Sequence, residues 1–537
     1  MKNAKSFHLP SHIIPERAVR YSFLVAFFFA SQAVAADKPV VIQNATVYNG
    51  SGSPGVKAAV AIDGGKVTAV GKVEVGPNTT VIDGTGLIVC PGFIDLHTHS
   101  DSAVVSKTLR ANTCYAVQGV TTIVTGNCGS GPTDVAKFFK DIEAGGVGAN
   151  VVHQVPHNSV REAVMGNANR KPTADELKKM EELVEKGMQA GAWGLATGLI
   201  YNPGTYAKTD ELIALAKIAG KNGGHYASHI RNEGGGLLGA IEEAIAIGKE
   251  GGCPVHISHI KASGRAAHGL SARAVALIET ARKAGQAVSA DQYPYTASST
   301  SLRATIVPTK YREGSTKEYV ARYGDPQTGP RLKADLAEAI SERDNGKAIQ
   351  IATYSKKPAW QGKRLSEIAA AEKRDVLDIV IEIETTGGAQ IVNHAMNEED
   401  VRVYMKQPWV ATASDGSAKV ADKSVPHPRS YGTFARKIGF YSIEEKTIPL
   451  EHAIRSCSGL PADVLGFKDR GYVKAGQWAD VVVFDPKTYR DHATYENPHQ
   501  LSTGVKYLFL NGAMVIDDGK HKPDVLAGKI LKKTEHR

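Results

Sequence analysis

Apolar residues follow two rhythms along this chain. Near both ends they form short strand-like runs, at 40–47 and 59–70 on one side and at 478–485 and 505–512 on the other. Val is the commonest residue in these runs. Asp63-Gly64-Gly65 supplies a hairpin turn, and Asp485-Pro486 and Asn511-Gly512 break the later runs. The pattern predicts one small β-sandwich domain assembled from residues 36–91 and 466–537. The middle, 92–465, alternates helical and strand periods instead. Thr173-Ala174-Asp175-Glu176 is a capping box, after which Leu177, Met180, Leu183, Val184 and Met188 mark one helical face. A strand-like run follows at 193–198. Helical runs at 211–219, 237–248 and 272–284 precede strand-like runs at 225–229, 254–259 and 287–291.

Such repetition predicts an α/β fold of parallel strands with crossover helices, as a doubly wound sheet or a barrel. The length fits a (β/α)8 TIM-like barrel with insertions. Residues 303–362 break the rhythm with charge and turn residues, and read as an insertion or lid over the barrel mouth. Two further strand-like runs, 348–353 and 390–394, have no assigned place.

Polar residues of one chemical kind sit where the strand-like runs end. The apolar run Phe93-Ile94-Asp95-Leu96 leads into His97-Thr98-His99-Ser100-Asp101. At i and i+2 on a strand, two imidazoles share a face. Thr121-Thr122-Ile123-Val124-Thr125 leads into Gly126-Asn127-Cys128-Gly129, and later runs end at His229, His259 and Asp415. In a parallel barrel the carboxyl ends of all strands open on one mouth, so these residues can meet. His, Cys and Asp together suit zinc. His256 lies three residues before His259 and is expected on the opposite face. His225 shares the face of His229 but lies deeper, and His394 follows a late strand-like run as a candidate for substrate contact.

Composition changes this picture in two places. Residues 23–30 form an apolar run too short to span a bilayer. Lys2, Lys5, Arg17 and Arg20 precede it and Ala33-Val34-Ala35 follows, the signature of a secretory signal peptide cut after Ala35. The expectation is a secreted or periplasmic protein with no stable membrane anchor after cleavage. That segment holds four basic residues and one acidic one, so three of the nine net positive charges belong to it, leaving +6. No Lys/Arg cluster accompanies this charge, which argues against a nucleic-acid partner. The five cysteines, an odd number without paired spacing, leave at least one thiol free.

These motifs resemble the amidohydrolase superfamily and, within it, the D-aminoacylase (N-acyl-D-amino-acid deacylase) branch. Gly126-Asn127-Cys128-Gly129 is the sharpest of them, because dihydroorotases and hydantoinases bridge their metals with a carboxylated lysine where this branch uses a cysteine. Ser258-His259-Ile260-Lys261 and Asp291-Gln292-Tyr293-Pro294-Tyr295 also look like that branch. The resemblance implies zinc held tightly by Cys128, His229 and His259. A second, weaker site would use His97 and His99, with Asp415 nearby and Cys128 shared. It implies a small-molecule N-acyl-D-amino acid as substrate, with Asp415 taking a proton from the attacking water and delivering it to the departing amine. Lys261, Arg429, Tyr293 or Tyr295, and Ser299 are then candidates for binding the substrate carboxylate. Arg303 follows the strand ending at Asp291 and reads equally as a carboxylate ligand or a core-edge group. Two alternatives stay open: an L-D dipeptidase or related amidohydrolase, and a non-catalytic zinc-stabilised periplasmic binding protein.

Overall fold

The computed structural model describes residues 38–535; the expected signal peptide lies outside them. Among the described residues no helix is long and apolar enough to cross a membrane. Strands from both chain ends share one nine-stranded sheet. Its seam is the antiparallel pairing of Ile88–Pro91 with Val481–Phe484, where Cys90 faces Val482. Asp63-Gly64-Gly65 makes the expected hairpin between Val56–Asp63 and Lys66–Gly71. Gly64 and Gly65 have φ of 54° and 79°, the left-handed values such a tight turn demands. Ile42, Val60, Val67, Val481 and Phe509 form the core of this unit.

Eight parallel strands make the barrel: Phe93–Asp95, Val120–Thr125, Asn150–His153, Gly194–Gly198, His225–His229, Val255–Ile257, Val288–Gln292 and Val410–Thr412. Neighbours pair directly, except that the third reaches the fourth through its continuation Val155–Pro156. The ring closes between the eighth and first strands just beyond their ends. There Asp415 N donates to His97 O (2.8 Å) and His99 N to Gly416 O (2.6 Å). Closure is thus made by the very residues that carry the candidate chemistry. The capping box forms at the start of helix Ala174–Gln189, whose Met180, Val184 and Met188 are buried.

Two expected boundaries are corrected. The insertion runs from about 298 to 393, not 303–362. Ser298–Ser301, Gln390–Asn393 and Ile349–Thr353 pair as an antiparallel sheet, which gives both unassigned strand runs their place. Helices Leu365–Glu372 and Val376–Thr385 pack on the same separate core through Leu365, Ile368, Ile379 and Ile383. The second correction is the C-terminal tail, which leaves the small β unit and lies on the barrel. Leu531 N donates to Val151 O, and Trp193 Nε1 donates to Leu531 O. All five cysteines are buried free thiols.

Candidate metal centre

The thiol at the centre of the barrel mouth is placed by backbone geometry. Gly126, Cys128 and Gly129 have φ of 79°, 51° and 73°. A Cβ on Gly126 would stand 2.2 Å from Gln154 O, and one on Gly129 2.1 Å from Asn158 Oδ1. Only glycine fits either position, which explains why the cysteine is bracketed as it is. Asn127 pins the turn, donating through Nδ2 to Val124 O (3.0 Å) and accepting from Gln154 Nε2 (2.7 Å). His259 and Asp415 are also left-handed, at φ of 35° and 50°. Such a conformation costs a non-glycine residue about 1–3 kcal/mol, so three of the clustered side chains are aimed by strained backbone.

Cys128 Sγ lies 3.3 Å from His97 Nε2, 3.5 Å from His229 Nδ1 and 3.5 Å from His259 Nε2. Asp415 Oδ1 lies 3.0 Å from His99 Nε2 and 3.6 Å from His97 Nε2. Two donor groups result, His97/His99/Cys128/Asp415 and Cys128/His229/His259, sharing the thiol; within each, the donor atoms lie within 4.8 Å of one another. The fit to zinc can be tested on these distances. Tetrahedral zinc, with bonds of about 2.3 Å to sulfur and 2.0–2.1 Å to nitrogen, separates those ligands by about 3.5 Å. That is the spacing from Sγ to both His229 and His259.

The electrostatics agree with a cation site. Burial pushes the Cys128 thiol well above its usual range, so a thiolate here needs a positive partner. Burial lowers His97 to about 4, and holds His229 well below the imidazole range, leaving both rings neutral with lone pairs to offer. Burial alone would raise Asp415, but Arg429 and the surrounding histidines outweigh it and hold the carboxyl well below the carboxylate range. Arg429 Nη1 donates to Asp415 Oδ2 (2.7 Å), and Nη2 to Ser299 O (3.1 Å).

Residues 80–516 match the amidohydrolase family. The D-aminoacylase of Alcaligenes xylosoxydans xylosoxydans is 33% identical over 532 residues, covering 94% of this chain and 99% of that protein. This chain belongs to the amidohydrolase family, in its D-aminoacylase branch. A crystal structure of D-aminoacylase, described as defining a novel subset of amidohydrolases, superposes with a TM-score of 0.79 at 32% identity. It covers 92% of this chain and 99% of its own. N-acyl-D-glutamate deacylase from Bordetella bronchiseptica, solved with zinc and a phosphonate inhibitor, gives a TM-score of 0.78 at 30% identity, with the same coverage.

The amidohydrolase places the other expected site residues unevenly. Lys261 Nζ and the Arg429 guanidinium lie 5.5 and 5.1 Å from the centre of the Tyr293 ring, and the Tyr293 hydroxyl is buried without a partner. Ser299 approaches Arg429 through its backbone carbonyl. Tyr295 is not brought to the cluster; its ring packs on His427, Tyr495 and Arg436. Arg303 is corrected too. It belongs to helix Leu302–Ile306 of the insertion, where Nε donates to Glu384 (2.9 Å) and the guanidinium stacks on Tyr319. His394 Nε2 meets Gln350 Oε1 (3.1 Å), and His225 Nε2 meets Gln154 Oε1 (2.9 Å).

His256 contradicts the expected alternation. It faces the barrel interior, with Nε2 2.7 Å from Asp291 Oδ2, and that same oxygen lies 3.7 Å from His97 Nδ1. The strand stops at Ile257 and the backbone turns at His259, so the period of two no longer relates the two histidines. Three neighbours of the cluster escaped the sequence reading: Glu233, Asp291 as a support, and Tyr201, whose ring lies 5.0 Å from His229. Glu233 follows His229 by four residues in a loop, where no periodicity announces a contact.

Proposed function

We propose that this chain hydrolyses the amide bond of N-acyl-D-amino acids with zinc held by His97, His99, Cys128, His229, His259 and Asp415. The observation that carries the reading is one buried thiol within 3.5 Å of three imidazoles. The names of the relatives supply the substrate class. Bound zinc supplies a Lewis acid that acidifies water and polarises a carbonyl. Asp415 is ionised, faces the imidazoles through Oδ1, and is fixed through Oδ2 by Arg429. It can therefore accept a proton from water and pass it to the departing amine, whose anion is too basic to leave unprotonated.

The cations around Tyr293 suit the substrate carboxylate. Arg429 gives two of its five N–H groups to Asp415 and Ser299, and Lys261 gives one of its three to Glu233. Each keeps donors for a ligand, and the Tyr293 hydroxyl adds another. Beside Glu233 opens a cavity of about 1190 Å³, walled by barrel loops, by Ser298, Thr300 and Arg364 of the insertion, and by His394 just beyond it. Zinc-loaded enzyme is expected to turn over N-acetyl-D-amino acids at least about tenfold faster than the L-enantiomers. Chelation abolishes this turnover and zinc restores it. Equal rates on both enantiomers, or rates indifferent to chelator, contradict the reading.

We also infer export, from the basic lead, apolar run and Ala33-Val34-Ala35. N-terminal sequencing of protein from the cell envelope should begin at Ala36; intact protein starting at Met1 in the cytoplasm overturns this.

A further inference from the structure

Glu233, in the loop after the fifth barrel strand, stands behind the metal centre. Its Oε1 lies 3.1 Å from His259 Nδ1 and 3.7 Å from His229 Nε2, and it accepts a hydrogen bond from Lys261 Nζ. Lys261 Nζ is itself 2.7 Å from His259 Nδ1. Two groups with opposite requirements therefore face one nitrogen. An ammonium only donates, and an ionised carboxylate only accepts. Lys261 is satisfied by a lone pair on Nδ1, and Glu233 by an N–H there.

The outcome matters on the other side of the ring, where His259 Nε2 faces Cys128 Sγ at 3.5 Å. Neutral imidazole carries one hydrogen. With Nδ1 accepting from Lys261, that hydrogen sits on Nε2 and closes it to a metal. With Nδ1 donating to Glu233, the Nε2 lone pair is free. His229 repeats the arrangement in mirror fashion. Its Nδ1 faces the thiol, while its buried Nε2, which has no hydrogen-bond partner, is turned to the same carboxylate.

We propose that Glu233 is a positioning residue that selects the metal-binding tautomer of His259 against the pull of Lys261, and thereby sets the zinc affinity of the Cys128/His229/His259 group. The step moves one hydrogen within the ring: the Nε2–H bond breaks, an Nδ1–H bond forms, and exchange with water leaves the proton count unchanged. Lys261 keeps its bond to Glu233 throughout. The inference rests on the zinc reading above but not on the substrate, so its test needs no turnover.

Zinc affinity, measured by competition with a chromophoric chelator, separates the two roles. Glu233→Ala is expected to bind zinc roughly 10–100-fold more weakly, the usual cost of losing a partner behind a ligand. Lys261→Met binds at least as tightly as the unmodified protein. The double variant Glu233→Ala/Lys261→Met recovers most of the loss, because nothing then holds the hydrogen on Nε2. In metal-free Glu233→Ala, the ¹⁵N shifts of His259 report the hydrogen on Nε2. Three results overturn the proposal: zinc held equally by Glu233→Ala and unmodified protein, a double variant no better than Glu233→Ala, or tenfold weaker binding in Lys261→Met. The second would make Glu233 a packing group of its loop. Unmodified protein that takes up no zinc would sink the metal reading together with this one.

Discussion

Asp415→Asn lowers kcat on an N-acetyl-D-amino acid by roughly 10²–10⁴-fold, the range a positioned general acid–base contributes, while zinc at the Cys128/His229/His259 group stays near the unmodified level. The substitution keeps the size of the side chain and its contact with Arg429, but an amide oxygen cannot take up and release the proton. Its backbone job, Asp415 N donating to His97 O at the closure of the barrel, is untouched. The left-handed φ of 50° is one that Asn tolerates as well as Asp, so a folding defect is not expected. Burst-free steady-state kinetics and metal analysis on the same preparation check both halves. A variant retaining a tenth or more of the unmodified kcat removes Asp415 from the proton transfer.

The second large effect falls on Cys128. Cys128→Ala is expected to weaken zinc binding beyond the roughly 10–100-fold that follows from losing a partner behind a ligand, because it deletes the anion both donor groups share. His229 and His259 would then face a dication across a void. Metal binding needs the ligand deprotonated, and the buried thiol, pushed far up in isolation, releases its proton to water only when a cation takes its place. Cys253→Ala is the control: that thiol is buried at the far end of helix Leu237–Gly251 and away from both groups, so zinc content should not change. Equal metal stoichiometry in Cys128→Ala and unmodified protein would leave Cys128 as a packed thiol.

What could be seen in the chain before its structure follows from where local rules operate. Asp63-Gly64-Gly65 and the Thr173 capping box announced themselves because a turn and a helix start are set by adjacent residues. The metal ligands were legible because each ends an apolar run, and a parallel barrel sends all such ends to one mouth. Glu233 and Tyr201 were not, since they sit in loops and reach the histidines only through tertiary approach. His256 was misplaced because alternation was carried past Ile257, where the strand had already stopped. Arg303 was misplaced for a related reason. It was counted from a barrel strand although it begins an independent unit, whose Leu302 and Ile391 share a core. The extent and strand pairing of that insertion escaped notice because its three strands are separated by helices, the first pairing with the last across almost a hundred residues. Nothing local marks such a pairing.

Crystals grown with zinc and measured on either side of the zinc absorption edge test the central claim most directly. An anomalous peak is expected about 2.3 Å from Cys128 Sγ, with His229 Nδ1 and His259 Nε2 completing its nearest protein ligands. Zinc found elsewhere, or in this mouth with the thiol beyond bonding distance, contradicts it.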